Sequence, residues 1–149
     1  MTPVTAGMPG MAKLQDLDTA VRDTETWVDD LTKRLAWQDR ERVFLVLLAV
    51  LHALRECLGR DEAVYVGGYL PTLLRGLYYD GWHPGGRGQL RSRGAFLDRV
   101  HDGVHRDPAI DPEAAARAVF ALVAAHLPAG EVENAKTAMP RELHNLWPD

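Results

Sequence analysis

The densest collection of side chains able to bond a partner or move a proton is Arg75, Tyr78, Tyr79, Asp80, Trp82 and His83. Phenol, indole and guanidinium groups favour boundaries where a ring is covered and its polar tip meets a partner, the composition of interface anchors. The competing assignment is structural, with Leu74, Leu77 and Tyr78 on the core and Trp82 pinning the chain beyond them. Immediately downstream, residues 81–95 carry Arg87, Arg91 and Arg93 on glycine-rich backbone and no acid. Such a segment could grip a phosphate or an acidic partner. It lacks the spacing of a phosphate-binding glycine loop and no strand is expected before it, so a solvated linker is favoured.

His101 and His105 stand four apart on an expected helix, with Asp98 and Asp102 close by. Two imidazoles at that spacing can share a metal, and a carboxylate one turn away could be a third ligand. No His-Glu-x-x-His pattern is present and no fourth ligand is evident, so they are weak metal candidates and a solvated flank is the better assignment. His52 lies inside an apolar helix and is expected to be a hydrogen-bonded core or boundary residue. Cys57 sits at a helix end and is read as packing, while Ser92 is the lone serine, which disfavours a serine nucleophile. These residues call for no cofactor and assign no catalytic role.

The elements that must position these groups are helices. Apolar residues at Leu14, Leu17, Val21, Thr24, Trp27 or Val28, Leu31 and Leu35 recur at three and four, an amphipathic helix. Asp39 is the expected N-cap of a second helix from about Arg40 to Leu58, apolar nearly all round and ended by Gly59. A short helix is expected from Asp61-Glu62 to Tyr65 or Val66, and another from Pro71 to Tyr78 with proline in its first turn. Ser92 caps a helix expected over Arg93 to His105. Asp111-Pro112-Glu113 is a strong start signal for a helix to about His126, with short helices opening at Glu131 and Pro140.

Shifted by 96 − 27 = 69 residues, the chain aligns on itself without a gap. Trp27 falls on Phe96, Asp29 on Asp98, Leu31 on Val100, Glu62 on Glu131, Pro71 on Pro140 and Leu74 on Leu143. Matches at core positions and turns point to two helical repeats that cover each other's apolar helices. The expected fold is an all-α bundle of two pseudo-twofold-related repeats, each with two longer helices and one or two short ones. The boundaries are a disordered tail over 1–13, a first repeat over 14–82, a Gly/Arg-rich linker over 83–92 and a second repeat over 93–149, the repeats forming one compact domain.

At 149 residues, with 46% hydrophobic and 26% charged positions, the chain suits one soluble core. A net charge of −4 argues against a protein that coats nucleic acid. The longest apolar run, Val43 to Leu51 and past His52 to Leu54, is short of a membrane span. A single cysteine excludes an internal disulfide framework and suits the cytoplasm.

The string Val50-Leu51-His52-Ala53-Leu54-Arg55 with Leu70-Pro71, followed by Leu74-Arg75-Gly76-Leu77-Tyr78-Tyr79-Asp80-Gly81-Trp82, resembles the bacterial family called domain of unknown function 2267. So do Met139-Pro140, Glu142-Leu143 and Leu146-Trp147 at the end, with Met139 where the family's second half usually carries leucine. The resemblance covers about residues 25 to 148 and implies an all-helical bacterial protein of one or two such units, with no established reaction or cofactor to carry over.

The leading functional expectation is a non-enzymatic interaction or adaptor module. Its surface would centre on Arg75, Tyr79 and Trp82 with the Arg87 to Arg93 loop, Tyr78 lying beside them. Its protein partner is unidentified and a homodimer stays open. The alternative is a small ligand held in a cleft between the repeats, near Tyr78, Arg75 and His52. An enzyme ranks third, and would need two of His52, Asp80, His83, His101 and His105 to meet in a concave site.

Overall fold

Asp39 turns the chain into its central helix. Its carboxylate accepts the Arg42 N–H at 3.2 Å, satisfying one of the amides that a helix start leaves without an intrahelical partner. The computed structural model describes residues 13–84 and 89–149, and every regular element among them is helical. In chain order these are α1 (Gln15–Leu35), α2 (Arg40–Cys57), α3 (Arg60–Gly67), α4 (Thr72–Tyr79), α5 (Arg93–Gly103), α6 (Pro112–His126) and α7 (Ala129–Ala138). A 3-10 helix, Arg141–Leu146, closes the chain. The expected tail lies outside the described residues except for Lys13, and so does the middle of the expected linker.

A helix apolar on nearly every side has to be covered on nearly every side. In α2, Val43, Val46, Leu47, Val50, Leu51 and Leu54 are fully buried, with α5 as the most extensive neighbour and α1, α4, α6 and α3 around the rest. α1 also packs on α6, so the two long helices of the N-terminal half both touch the C-terminal half. One continuous apolar core runs from Trp27 to Trp147. Where α5 crosses α2 the backbones come close: a Cβ on Gly103 would lie 2.6 Å from the Ala49 Cβ. Only hydrogen fits there.

Several local signals act as expected. Ser92 accepts the Ala95 N–H at 3.0 Å at the start of α5, and Asp111 accepts the Glu113 N–H at 3.1 Å with Pro112 as the first residue of α6. The short elements keep the 69-residue interval, 129 − 60 for α7 and α3 and 140 − 71 for the prolines before the 3-10 helix and α4. The longer helices do not, with 112 − 40 = 72 for α6 and α2 and 93 − 15 = 78 for α5 and α1.

Other expectations need correction. Leu14, Leu17 and Val21 are not core residues, being 85%, 54% and 45% exposed, because the first turns of α1 overhang the bundle and burial begins at Ala20 and Thr24. Gly59 does not end α2 in the left-handed conformation. Leu58 ends it in extended backbone, and Gly59, at φ −64°, precedes α3 as its N-cap. Pro71 stands before α4 rather than inside it. α5 stops at Gly103, and His105 and Arg106 lie beyond it with φ of 58° and 54°.

Candidate functional site

The side chain on which the site is built is Arg55, on the last turn of α2 and only 4% exposed. Its Nη1 donates to the carbonyls of Tyr78 and Asp80, each at 2.7 Å, and so fastens α2 to the exit of α4. Nη2 donates to Glu56 Oε2 at 3.2 Å, while Nε is buried with no hydrogen-bond partner among the described residues. Glu56 is held from the other side by Arg99 of α5, whose Nε and Nη2 reach its two oxygens at 2.9 and 3.3 Å. The backbone carbonyl of Glu56 also takes the Leu90 N–H at 3.0 Å. An Arg–Glu–Arg chain therefore links α2, α4 and α5, with the carboxylate neutralised by two guanidinium groups.

This chain forms one wall of an open cleft of 540 Å³. Arg60, Trp82, His83, Gln89, Leu90 and Asp102 are among the residues that line the rest. Gly81, at φ +76°, provides the left-handed turn that swings Trp82 back, and the Trp82 N–H donates to the Tyr79 carbonyl at 3.0 Å. Trp82 then stacks on Tyr79 with ring centroids 5.7 Å apart. Asp102 is paired with Arg106 at 3.0 Å, whereas Arg60 has no ion pair among the described residues. With Glu56 satisfied by Arg55 and Arg99, the spare charge facing the cleft is positive.

Among the described members of the seven residues singled out by composition, Tyr78, Tyr79 and Trp82 lie side by side, with successive ring centroids 5.1 and 5.7 Å apart, while Arg75 and Arg93 are bonded elsewhere. Arg75 donates to the carbonyls of Gly67 (2.9 Å), Leu70 (3.1 Å) and Gly68 (3.4 Å), satisfying the end of α3. Tyr78 is buried and donates to the Ala63 carbonyl at 2.7 Å, and Tyr79 donates to that of Val64 at 3.3 Å. Arg93 joins the start of α5 to the 3-10 helix through the Glu142 carbonyl (2.9 Å) and Asn145 (2.7 Å), and pairs with Glu113 at 2.9 Å. Arg91 is exposed, and Arg87 lies outside the described residues. Of the seven, Trp82 lines the cleft.

The histidine pair does not form a ligand set. His101 sits between the Arg106 guanidinium (3.2 Å) and the Asp107 carbonyl (3.3 Å), and His105 lies past the helix end, so the four-residue spacing no longer puts both on one face. Among the described residues no three His, Cys, Asp or Glu side chains gather around a common point. His52 donates from its ring N–H to the Leu77 carbonyl at 2.8 Å, and burial lowers its pKa, favouring the neutral ring. Cys57 donates to the Leu54 carbonyl at 3.3 Å, and burial pushes its thiol well up, which suppresses the nucleophilic thiolate.

Sequence reasoning missed Arg55, Glu56, Arg60 and Arg99. The signal was present for the first two: adjacent charges at the end of an otherwise apolar helix, where an unpaired ion would be costly. The choice of Arg99 as their partner, 43 residues further on, has no local signature.

The family model described as an uncharacterized conserved protein (DUF2267) matches residues 24–146, and the chain belongs to that family. No curated protein matches it. No helix among the described residues is long and apolar enough to cross a membrane.

Proposed function

We propose that this protein is a non-enzymatic binding module that takes a small anionic ligand, a carboxylate or phosphate compound, in the cleft between two related helical repeats. The observation that carries this is the 540 Å³ cleft lined by Arg60, which has no ion pair among the described residues, together with His83 and Trp82. An anion there gains charge-assisted hydrogen bonds from Arg60, and a flat group on the ligand can lie against the Trp82 indole. The 69-residue interval between the starts of α3 and α7 supports the repeat reading, and the single buried cysteine supports a cytoplasmic site of action. Thermal unfolding with added inorganic phosphate, citrate and a nucleoside monophosphate tests the proposal against chloride at equal ionic strength. A ligand at about one hundred times its Kd stabilises the folded state by about 2.7 kcal/mol, a clear rise in Tm. The rise should vanish in Arg60→Ala/His83→Ala. No shift in the wild type, or an undiminished shift in the double variant, sinks the idea.

A second reading, a protein-interaction module, is favoured by the exposed stripe of Leu14, Leu17 and Val21 on α1. These share one helix face and are exposed, as docking of a partner helix would require. Sedimentation of the wild type and Leu17→Asp separates the cases for self-association. A concentration-dependent dimer abolished by the substitution supports it, and a monomer in both counts against a second copy as the partner.

A further inference from the structure

α3 meets α7 at two glutamates. Glu62 and Glu131 lie within hydrogen-bonding reach of each other across that contact, at positions 131 − 62 = 69 residues apart. Each has one carboxylate oxygen buried with no hydrogen-bond partner among the described residues. No ion pair or hydrogen bond from a cation reaches either carboxylate among the described residues, although Arg60 shares α3 and Lys136 shares α7. From α4, the Tyr78 phenol feels the Glu62 charge; from α2, α6 and the 3-10 helix no ionisable side chain pairs with either glutamate. Two carboxylates side by side without a cation cannot both stay charged at little cost, but one proton turns the pair into a donor and an acceptor.

We propose that Glu62 and Glu131 share one proton that holds α3 against α7, and that its loss loosens this contact, making the joint a pH-sensitive device. Burial, together with the hydrogen bond and the charge of Glu131, raises the Glu62 pKa from its ordinary 4.5 to about 7. The sign follows from proton binding: the folded protein holds a proton that the unfolded chain releases near 4.5. The stabilisation is therefore whole below 4.5 and is lost as pH rises through about 7.

Urea unfolding of the wild type, Glu62→Gln and Glu131→Gln across about pH 5 to about pH 8 reads this directly. In either variant the amide supplies a permanent donor and no second charge develops. The wild-type folding equilibrium constant should lose on the order of tenfold more than that of either variant over the range. Amide exchange in α7, corrected for intrinsic rate, should quicken with pH in the wild type alone. An equal pH slope in wild type and variants overturns the proposal. Should both variants fail to fold, carboxyl NMR titration of the wild type decides it: a Glu62 midpoint near 4.5 overturns it, and a Glu62 midpoint near 7 upholds it.

Discussion

Arg55 is the residue whose loss the fold should feel most. At 4% exposure its guanidinium satisfies two backbone carbonyls and a carboxylate, so Arg55→Ala leaves three acceptors to be paid for at once. We expect a loss of about 3 kcal/mol or more in urea unfolding. Arg55→Lys should recover only part of it, because an ammonium cannot hold the forked geometry. His52 gives a pH signature of the opposite sign to the glutamate pair. Burial lowers its folded pKa below 6.5, so the unfolded chain takes up the proton first and stability, whole above 6.5, declines as pH falls below it. His52→Gln, which keeps an N–H for the Leu77 carbonyl, should flatten the fall between about pH 6.5 and about pH 5. An unchanged acid limb would show that His52 does not contribute to it.

At the scale of elements, the closest joint is the crossing of α5 and α2. A methyl group on Gly103 would meet Ala49 Cβ at 2.6 Å and its Cα at 3.1 Å, and backbone cannot swing aside as a flexible side chain can. Gly103→Ala should therefore cost about 1–3 kcal/mol in chemical denaturation despite the higher helix propensity of alanine. A neutral or stabilising result would mean that the two helices separate freely. The N-cap of α6 is a milder test, since Asp111→Ala removes one bond to the Glu113 N–H and should cost about 1 kcal/mol. The helices and most of their ends were legible because caps, prolines and apolar spacing act within a few residues. The end of α5 was misread because Val104 kept the apolar pattern going while the backbone had already left the helix at Gly103.

For the whole molecule, the interior belongs to both halves of the chain. α2 lies against α5 and α6, α1 lies against α6, and Trp27 stacks on His126 with centroids 4.4 Å apart while His126 reaches Asp30 at 3.1 Å. A fragment of residues 14–82 would leave one side of α2 in water, so it should not form a folded monomer. Circular dichroism and sedimentation should find it either largely unfolded or self-associated. A monomeric fragment with cooperative unfolding would contradict the shared core. Family membership over residues 24–146 extends the same point, for the matched segment includes both halves.

The sequence by itself determined the helical class, the central helix and the capped starts at Asp39, Ser92 and Asp111, because periodicity and capping are local physics. It also brought out the aromatic and arginine residues around Trp82. Only the tertiary structure decided what they do: Arg75, Tyr78 and Tyr79 turn inward to the carbonyls of α3, and the open cleft is instead lined by Trp82, His83, Arg60 and Arg99. It also decided that Glu62 would face Glu131 and that Leu14, Leu17 and Val21 would stand in solvent. Polar side chains are long and flexible, and their partners lie tens of residues away. Their pairing depends on where whole helices come to rest, which no spacing along the chain records.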